Sequence, residues 1–371
     1  MFNSNMTNQC VSTDKIRISG PDTQGIAEVT VKKLSKYIVM HENTEVLTLD
    51  AINGGRQIIN AMFLPYGLRF EGLTGFQVYT WIKQRISNLS RTFMNKVYIA
   101  RDVGRDDVKV IQDSCAISAI DNFWIKTDNT LGVTWDELKS KRDINRQLSD
   151  IALSGILKPG GKEGRTSLFT LKGYFPKCVQ GGCIYKLRKD SELEYPAFLI
   201  GEQLGVDIAE CEIEGTYVKI KLFTNDNVSL VHANELQAYF DVGVLYNAFL
   251  KDDRRDILGQ LERMYIFNYV IGNADLHDEN YGVLYDPKTF ELLRLAPLFD
   301  HNVAFDPEFK GVARNSAGGS LVELDALAKR FIVKHTDIAE KLKGLDFSII
   351  SRYLRKEQIR QLKDRVKELI G

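Results

Sequence analysis

The chain has no excess of charge of either sign. Its 49 lysines and arginines balance 49 aspartates and glutamates over 371 residues, which argues against a surface dedicated to direct nucleic-acid binding or to an anionic membrane. Cysteine is scarce and scattered. Cys10, Cys115, Cys178, Cys183 and Cys211 are odd in number, and no second pair or nearby histidine turns Cys178 and Cys183 into a zinc site. They are expected to be reduced packing residues. No apolar run reaches the length that crosses a bilayer, and the polar N-terminus does not read as a secretory signal. These absences predict a cytoplasmic protein with no membrane partner. Internal repeats and long low-complexity linkers are absent too. At 371 residues the chain exceeds one comfortable core, so two or three lobes are expected.

What is present is organised around Gly272-Asn273-Ala274-Asp275-Leu276-His277-Asp278-Glu279-Asn280, followed later by Pro297-Leu298-Phe299-Asp300. Ahead of it, Ile257, Leu258, Leu261, Met264, Tyr265, Phe267 and Ile271 recur at helical spacing, and Gly272 with Asn273 is a stop signal. After it, Tyr281 to Tyr285 reads as a strand, 286–289 as a turn and Phe290 to Leu295 as a second strand. The second strand runs into the loop that carries Asp300.

Phosphoryl transfer from ATP needs this set of groups: a carboxylate for the attacking hydroxyl, and an amide oxygen with a second carboxylate to hold magnesium on the phosphates. Asp275 and Asn280 have the Asp-x-x-x-x-Asn spacing of kinase catalytic loops, and Asp300 stands where a metal-binding Asp follows the hairpin. Asn and Asp more often cap helices and build turns. The apolar helix, hairpin and second Asp in that order favour catalysis.

The run Asn273-Ala274-Asp275-Leu276-His277-Asp278-Glu279-Asn280 resembles the Asn-x-Asp-x-His-x-x-Asn loop of HipA-like serine/threonine kinases, and Leu295-Ala296-Pro297-Leu298-Phe299-Asp300 resembles their Leu-x-Pro-x-Tyr/Phe-Asp element. The Asp-x-His-x-x-Asn core is shared with phosphoinositide kinases. The resemblance implies an α+β, two-lobed protein-kinase-like fold with a β-rich N-lobe and a helical C-lobe, preceded by an extra N-terminal α/β region. The expected divisions are a flexible leader at 1–25, the N-terminal region at 26–145, the N-lobe at 146–225 and the C-lobe at 226–371.

It also implies roles. Asp275 orients the substrate hydroxyl, while His277 lies in the same loop as a brace. Asn280 and Asp300 hold Mg2+. On the strand Gly182 to Leu187 the family pattern selects Lys186 for the ATP phosphates, and Glu194, in the first turn of the helix that follows and ends at Gly205, to position it. The strand Gly215 to Phe223 leads into a hinge where backbone at Leu222, Phe223 and Thr224 meets adenine. The glycine-rich stretch from Ser154 and Gly155 to Ser167 is expected to close over phosphates, although it lacks the Gln of the family's Ser-x-x-Gly-x-Gln-x-Lys pattern. Ser154 is the serine whose phosphorylation would hold that loop open. A protein substrate and an antitoxin-like protein partner are implied as well. A small-molecule or lipid kinase of the same fold, and a non-catalytic module on this scaffold, are the alternatives.

The remainder is read more coarsely. Ala27 to Val31 and Tyr37 to Met40 predict strands, and Phe76 to Leu89 a helix continuing towards Ile99. Ile117 to Ile125 fits strand or helix, and Thr134 starts a capped helix. Leu230 to Leu250 reads as helix, as does the stripe Leu354, Ile359, Leu362, Val366 and Leu369.

Overall fold

The computed structural model describes residues 36–86, 95–140, 151–154, 175–241, 244–313 and 321–371. The expected leader, the strand at Ala27 to Val31 and the glycine-rich loop from Gly155 onward lie outside these residues.

Among the described residues the architecture rests on three antiparallel sheets of three or four strands, besides a two-stranded pairing of Val312–Ala313 with Val322–Glu323. The first is built from β1 (Lys36–His41), β2 (Thr44–Asp50), β3 (Arg56–Ile58) and β4 (Phe123–Thr127), in the order β3-β2-β1-β4. Between β3 and β4 run α1 (Gly75–Arg85), α2 (Asn95–Arg101) and α3 (Asp107–Ser114), and α4 (Trp135–Lys139) follows β4. Thr74 and Gln77 form a reciprocal capping box at the start of α1, and Thr134 and Glu137 do the same for α4. Of the stretch Ile117 to Ile125, which fitted either strand or helix, only Phe123 to Ile125 enter a strand, β4, whose residues pair with Tyr37 to His41 of β1; 117–122 are irregular.

The second sheet contains β5 (Lys177–Gln180), β6 (Cys183–Leu187), β7 (Cys211–Glu214) and β8 (Tyr217–Lys221), in the order β5-β6-β8-β7. Helix α5 (Glu194–Leu204) connects β6 to β7 and ends at Gly205, whose φ of 64° is the left-handed stop expected from the sequence. The third sheet joins β9 (Ser229–His232), β10 (Gly282–Tyr285) and β11 (Leu292–Leu295).

Strand β9 corrects the expectation of helix from Leu230. Ser229, Leu230, Val231 and His232 pair in register with Tyr285 to Gly282, and all four are buried. A four-residue segment with two adjacent apolar residues is too short to show a period of its own, so a long-range partner decides its conformation. Helix begins only at α6 (Ala233–Phe240) and continues in α7 (Leu245–Lys251).

Helix α8 (Arg255–Ile271) is buried on nearly every side from Ile257 onward and packs against α9 (Leu324–Ile332) and the closing helix α11 (Lys356–Ile370), with α10 (Thr336–Lys343) between those two in the chain. One apolar cluster runs from Tyr37 through Val231 and Phe267 to Leu369, so the first sheet shares its core with the rest of the chain. Tyr66 Oη, before α1, donates to the carbonyl of Phe290 in the β10–β11 turn.

Candidate active site

The polar loop is delivered by the end of α8. Gly272 takes φ 61° and closes the helix with N–H bonds back to Asn268 and Tyr269. A Cβ there would lie 2.8 Å from the guanidinium carbon of Arg365, whose Nε donates to Val270 O at 2.9 Å. The left-handed backbone favours glycine, and any larger residue would also have to displace the Arg365 guanidinium. Asn273, almost fully buried, accepts from Asp275 N at 3.1 Å and donates to Asn268 Oδ1 at 2.8 Å, which fixes how the loop leaves the helix. Asn280 Nδ2 donates to Asp275 O at 2.8 Å, and Asn280 N–H to His277 O at 2.8 Å. These bonds draw the two ends of the Asp-x-x-x-x-Asn run together.

His277 accepts from Glu279 N–H through Nδ1 at 3.3 Å, and its Nε2 lies 4.0 Å from Asp275 Oδ2. Both contacts stay within the loop. The Asp275 side chain keeps 41% of its surface exposed.

On the opposite wall, Lys186 of β6 is buried, and its Nζ donates to Glu194 Oε1 at 2.5 Å and to Asp300 Oδ1 at 2.7 Å. Burial alone would lower the ammonium's pKa. The carboxylates of Asp300 and Glu194 outweigh it and hold the pKa above the usual lysine range. For Asp300 burial acts upward, but Lys186 and Lys177 prevail, and the carboxyl stays well below the usual range. Asp300 itself has φ 63°, in the left-handed region that Asp tolerates better than most side chains. Glu194, not Glu192, is the acid that meets Lys186. Its second oxygen accepts from the backbone N–H of His301 at 2.9 Å, a role for His301 that the sequence did not reveal.

Lys186, Asp275, His277, Asn280 and Asp300 line one cleft of about 1070 Å3, and Leu222, Phe223 and Thr224 border it. Ser154 also lines it and is helical. Gly155 lies outside the described residues. Lys177 is a residue that the sequence reading missed. It is buried on β5, directly opposite Lys186, and also lines the cleft. A signal was present: Thr170-Leu171-Lys172-Gly173-Tyr174-Phe175-Pro176-Lys177 follows the Ser-x-x-Gly-x-Gln-x-Lys pattern with Thr for Ser and Phe for Gln. Among the described residues no helix is long and apolar enough to cross a membrane.

Comparison with solved structures gives a match to HipA of Shewanella oneidensis MR-1, in its complex with HipB and operator DNA, at 13% identity and a TM-score of 0.55; it covers 90% of this chain and 99% of that one. A second match is the Helicobacter pylori proinflammatory kinase CtkA, at 14% identity and a TM-score of 0.35, covering 52% of this chain and 88% of that one. No curated protein sequence matches significantly. Residues 171–367 match the family described as the HipA-like C-terminal domain. That match takes in more than half of the chain, from β5 through the candidate catalytic loop to α11, and the protein belongs to the HipA-like family.

Proposed function

We propose that this protein is a two-lobed, ATP- and Mg2+-dependent serine/threonine protein kinase. Strands β5 to β8 with α5 form its smaller lobe, and the elements from α6 onward form its helical lobe. The observation that carries this reading is the Lys186–Glu194–Asp300 ion-paired group facing the same cleft as Asp275 and Asn280.

The side chains fit the ligands this requires. Asn280 spends its amide nitrogen on Asp275 O, and its amide oxygen is the group suited to a hard cation. Asp300 has a second carboxylate oxygen beyond the one bonded to Lys186. When bound, ATP would supply the phosphoryl group and magnesium would screen its charge. Lys186 and Lys177 neutralise phosphate oxygens, and Glu194 fixes the Lys186 stem in place. Asp275 orients the acceptor hydroxyl and takes its proton as the oxygen bonds to phosphorus and the bond to the leaving diphosphate breaks. Ser154 lines the cleft and is the candidate for self-phosphorylation.

The cytoplasm is the proposed compartment. The Shewanella HipA structure contains HipB and operator DNA, and a HipB-like protein partner is proposed here by analogy of fold. That comparison lends no support to the expectation, drawn from zero net charge, that this chain makes no direct nucleic-acid contact.

The test is transfer from γ-labelled ATP, with magnesium, to the protein itself and to protein acceptors, comparing wild type with Asp275→Asn. The variant should bind nucleotide normally and lose about two to four orders of magnitude in rate. A loss below tenfold moves the catalytic carboxylate elsewhere, and a wild type that transfers no phosphate rejects the kinase reading.

A further inference from the structure

We infer that the nucleotide's base is held in part by the N-terminal region, through the segment Ser118 to Asp121, with Ile120 as the side chain that touches it. This rests on the kinase reading of the cleft.

The cleft has two chemically distinct ends. Lys177, Lys186 and Asp300 make one end charged. The other end borders the Leu222–Thr224 turn and carries the apolar group of Ile120, Phe223, Leu230 and Phe299, with Arg85, Asp121 and Glu235 also lining the cleft. A triphosphate belongs at the first end, and a flat aromatic base at the second. Ile120 lines the cleft and packs in one apolar group with Phe223, Leu230 and Phe299. It is only half-buried, so part of its side chain remains available to a ligand.

The segment is held at this end by bonds spanning a long stretch of chain. Thr224 Oγ1 donates to Ala119 O at 2.8 Å, Leu230 N–H to Ile120 O at 2.8 Å, and Asn122 Nδ2 to Asp226 O at 3.2 Å. Behind it, Arg85 of α1 grips both oxygens of Asp121 at 2.8 and 2.9 Å, and Asn122 O accepts from Glu42 N–H at 3.1 Å. One face of the segment is therefore locked to the first sheet and α1, while the other forms the floor beside the hinge. With both sides bonded, Ile120 is pre-positioned, and base binding need not order it.

The experiment is calorimetric titration of the full chain with ATP and, separately, with inorganic tripolyphosphate, both with magnesium. Ile120→Ala should weaken ATP about tenfold, as expected for loss of most of an aliphatic contact, and leave tripolyphosphate affinity unchanged. Ile120→Val, which removes one methylene and is unlike the alanine variant in disturbing the fold little, should weaken ATP about threefold. Wild-type ATP affinity in both variants overturns the inference while the kinase reading stands. Equal weakening of ATP and tripolyphosphate also overturns it, since the defect is then not in the base site. A wild type that binds no ATP rejects both.

Discussion

Lys177 and Lys186 stand directly opposite one another across the β5–β6 ladder, both buried and both acting on Asp300. Opposed residues of an antiparallel pair project to the same face, so two cations are concentrated at one end of the cleft. Their importance to the fold differs. Lys186 is the bonded partner of Glu194, whose side chain is only 4% exposed. Lys186→Ala should therefore cost about 3–5 kcal/mol of stability, because it leaves a buried carboxylate without its cation, and should abolish turnover. Lys177→Ala should mainly raise the KM for ATP. Urea melts and ATP kinetics on both variants check this, and a Lys186→Ala protein as stable and active as wild type would refute the assignment.

The carboxyl of Asp300 is held well below the ordinary range, with burial overcome by Lys186 and Lys177. Because its folded pKa is depressed, its contribution to stability is present above the unfolded value near 3.9 and is lost only as pH falls below that. Asp300 should thus stay ionised from pH 5 to 8 and add no limb to the pH–rate profile there. Asp300→Asn should lower turnover about two to three orders of magnitude at every pH in that window. An acid limb centred between pH 5 and 7 that disappears in Asp300→Asn would contradict this.

His41 should make the protein sensitive to acid. It is 3% exposed, stacked 5.0 Å from Phe63, and its Nε2 has no hydrogen-bond partner among the described residues. Burial pushes its pKa down to about 4. Below the unfolded value near 6.5 the unfolded chain binds a proton that the native state refuses, so stability falls as pH drops from 6.5 towards 4. The loss by pH 5 is about 2 kcal/mol. His41→Phe should remove that share of the pH 7 to pH 5 difference in denaturant-derived stability. An unchanged difference would show that burial of this imidazole is not responsible.

The sequence was legible where signals are local. The apolar period of α8, the stop at Gly272 and the turn between β10 and β11 place Asp275, Asn280 and Asp300 around one cleft, and Gly205 marks the end of the helix that carries Glu194. The glycine-rich run beginning at Ser154 is the stronger local signal, and the pattern that ends at Lys177 departs from the family's at the Thr and Phe positions. Strand β9 was hidden because pairing with β10, some fifty residues away, outweighs its weak local preference. Ile120 could not be found at all from the sequence, since its link to the hinge runs between Ala119 and Thr224, 105 residues apart, with no spacing rule to connect them.

The bond from Tyr66 to Phe290 spans 224 residues, and this sets the order in which the protein is completed on the ribosome. His41, Phe63, Tyr66 and Phe123 all pack against the ring of Phe290. At about 5–20 residues per second, Phe290 is added roughly 10–45 s after Tyr66. Until then His41, Phe63 and Tyr66 lack the ring against which they pack in the folded chain.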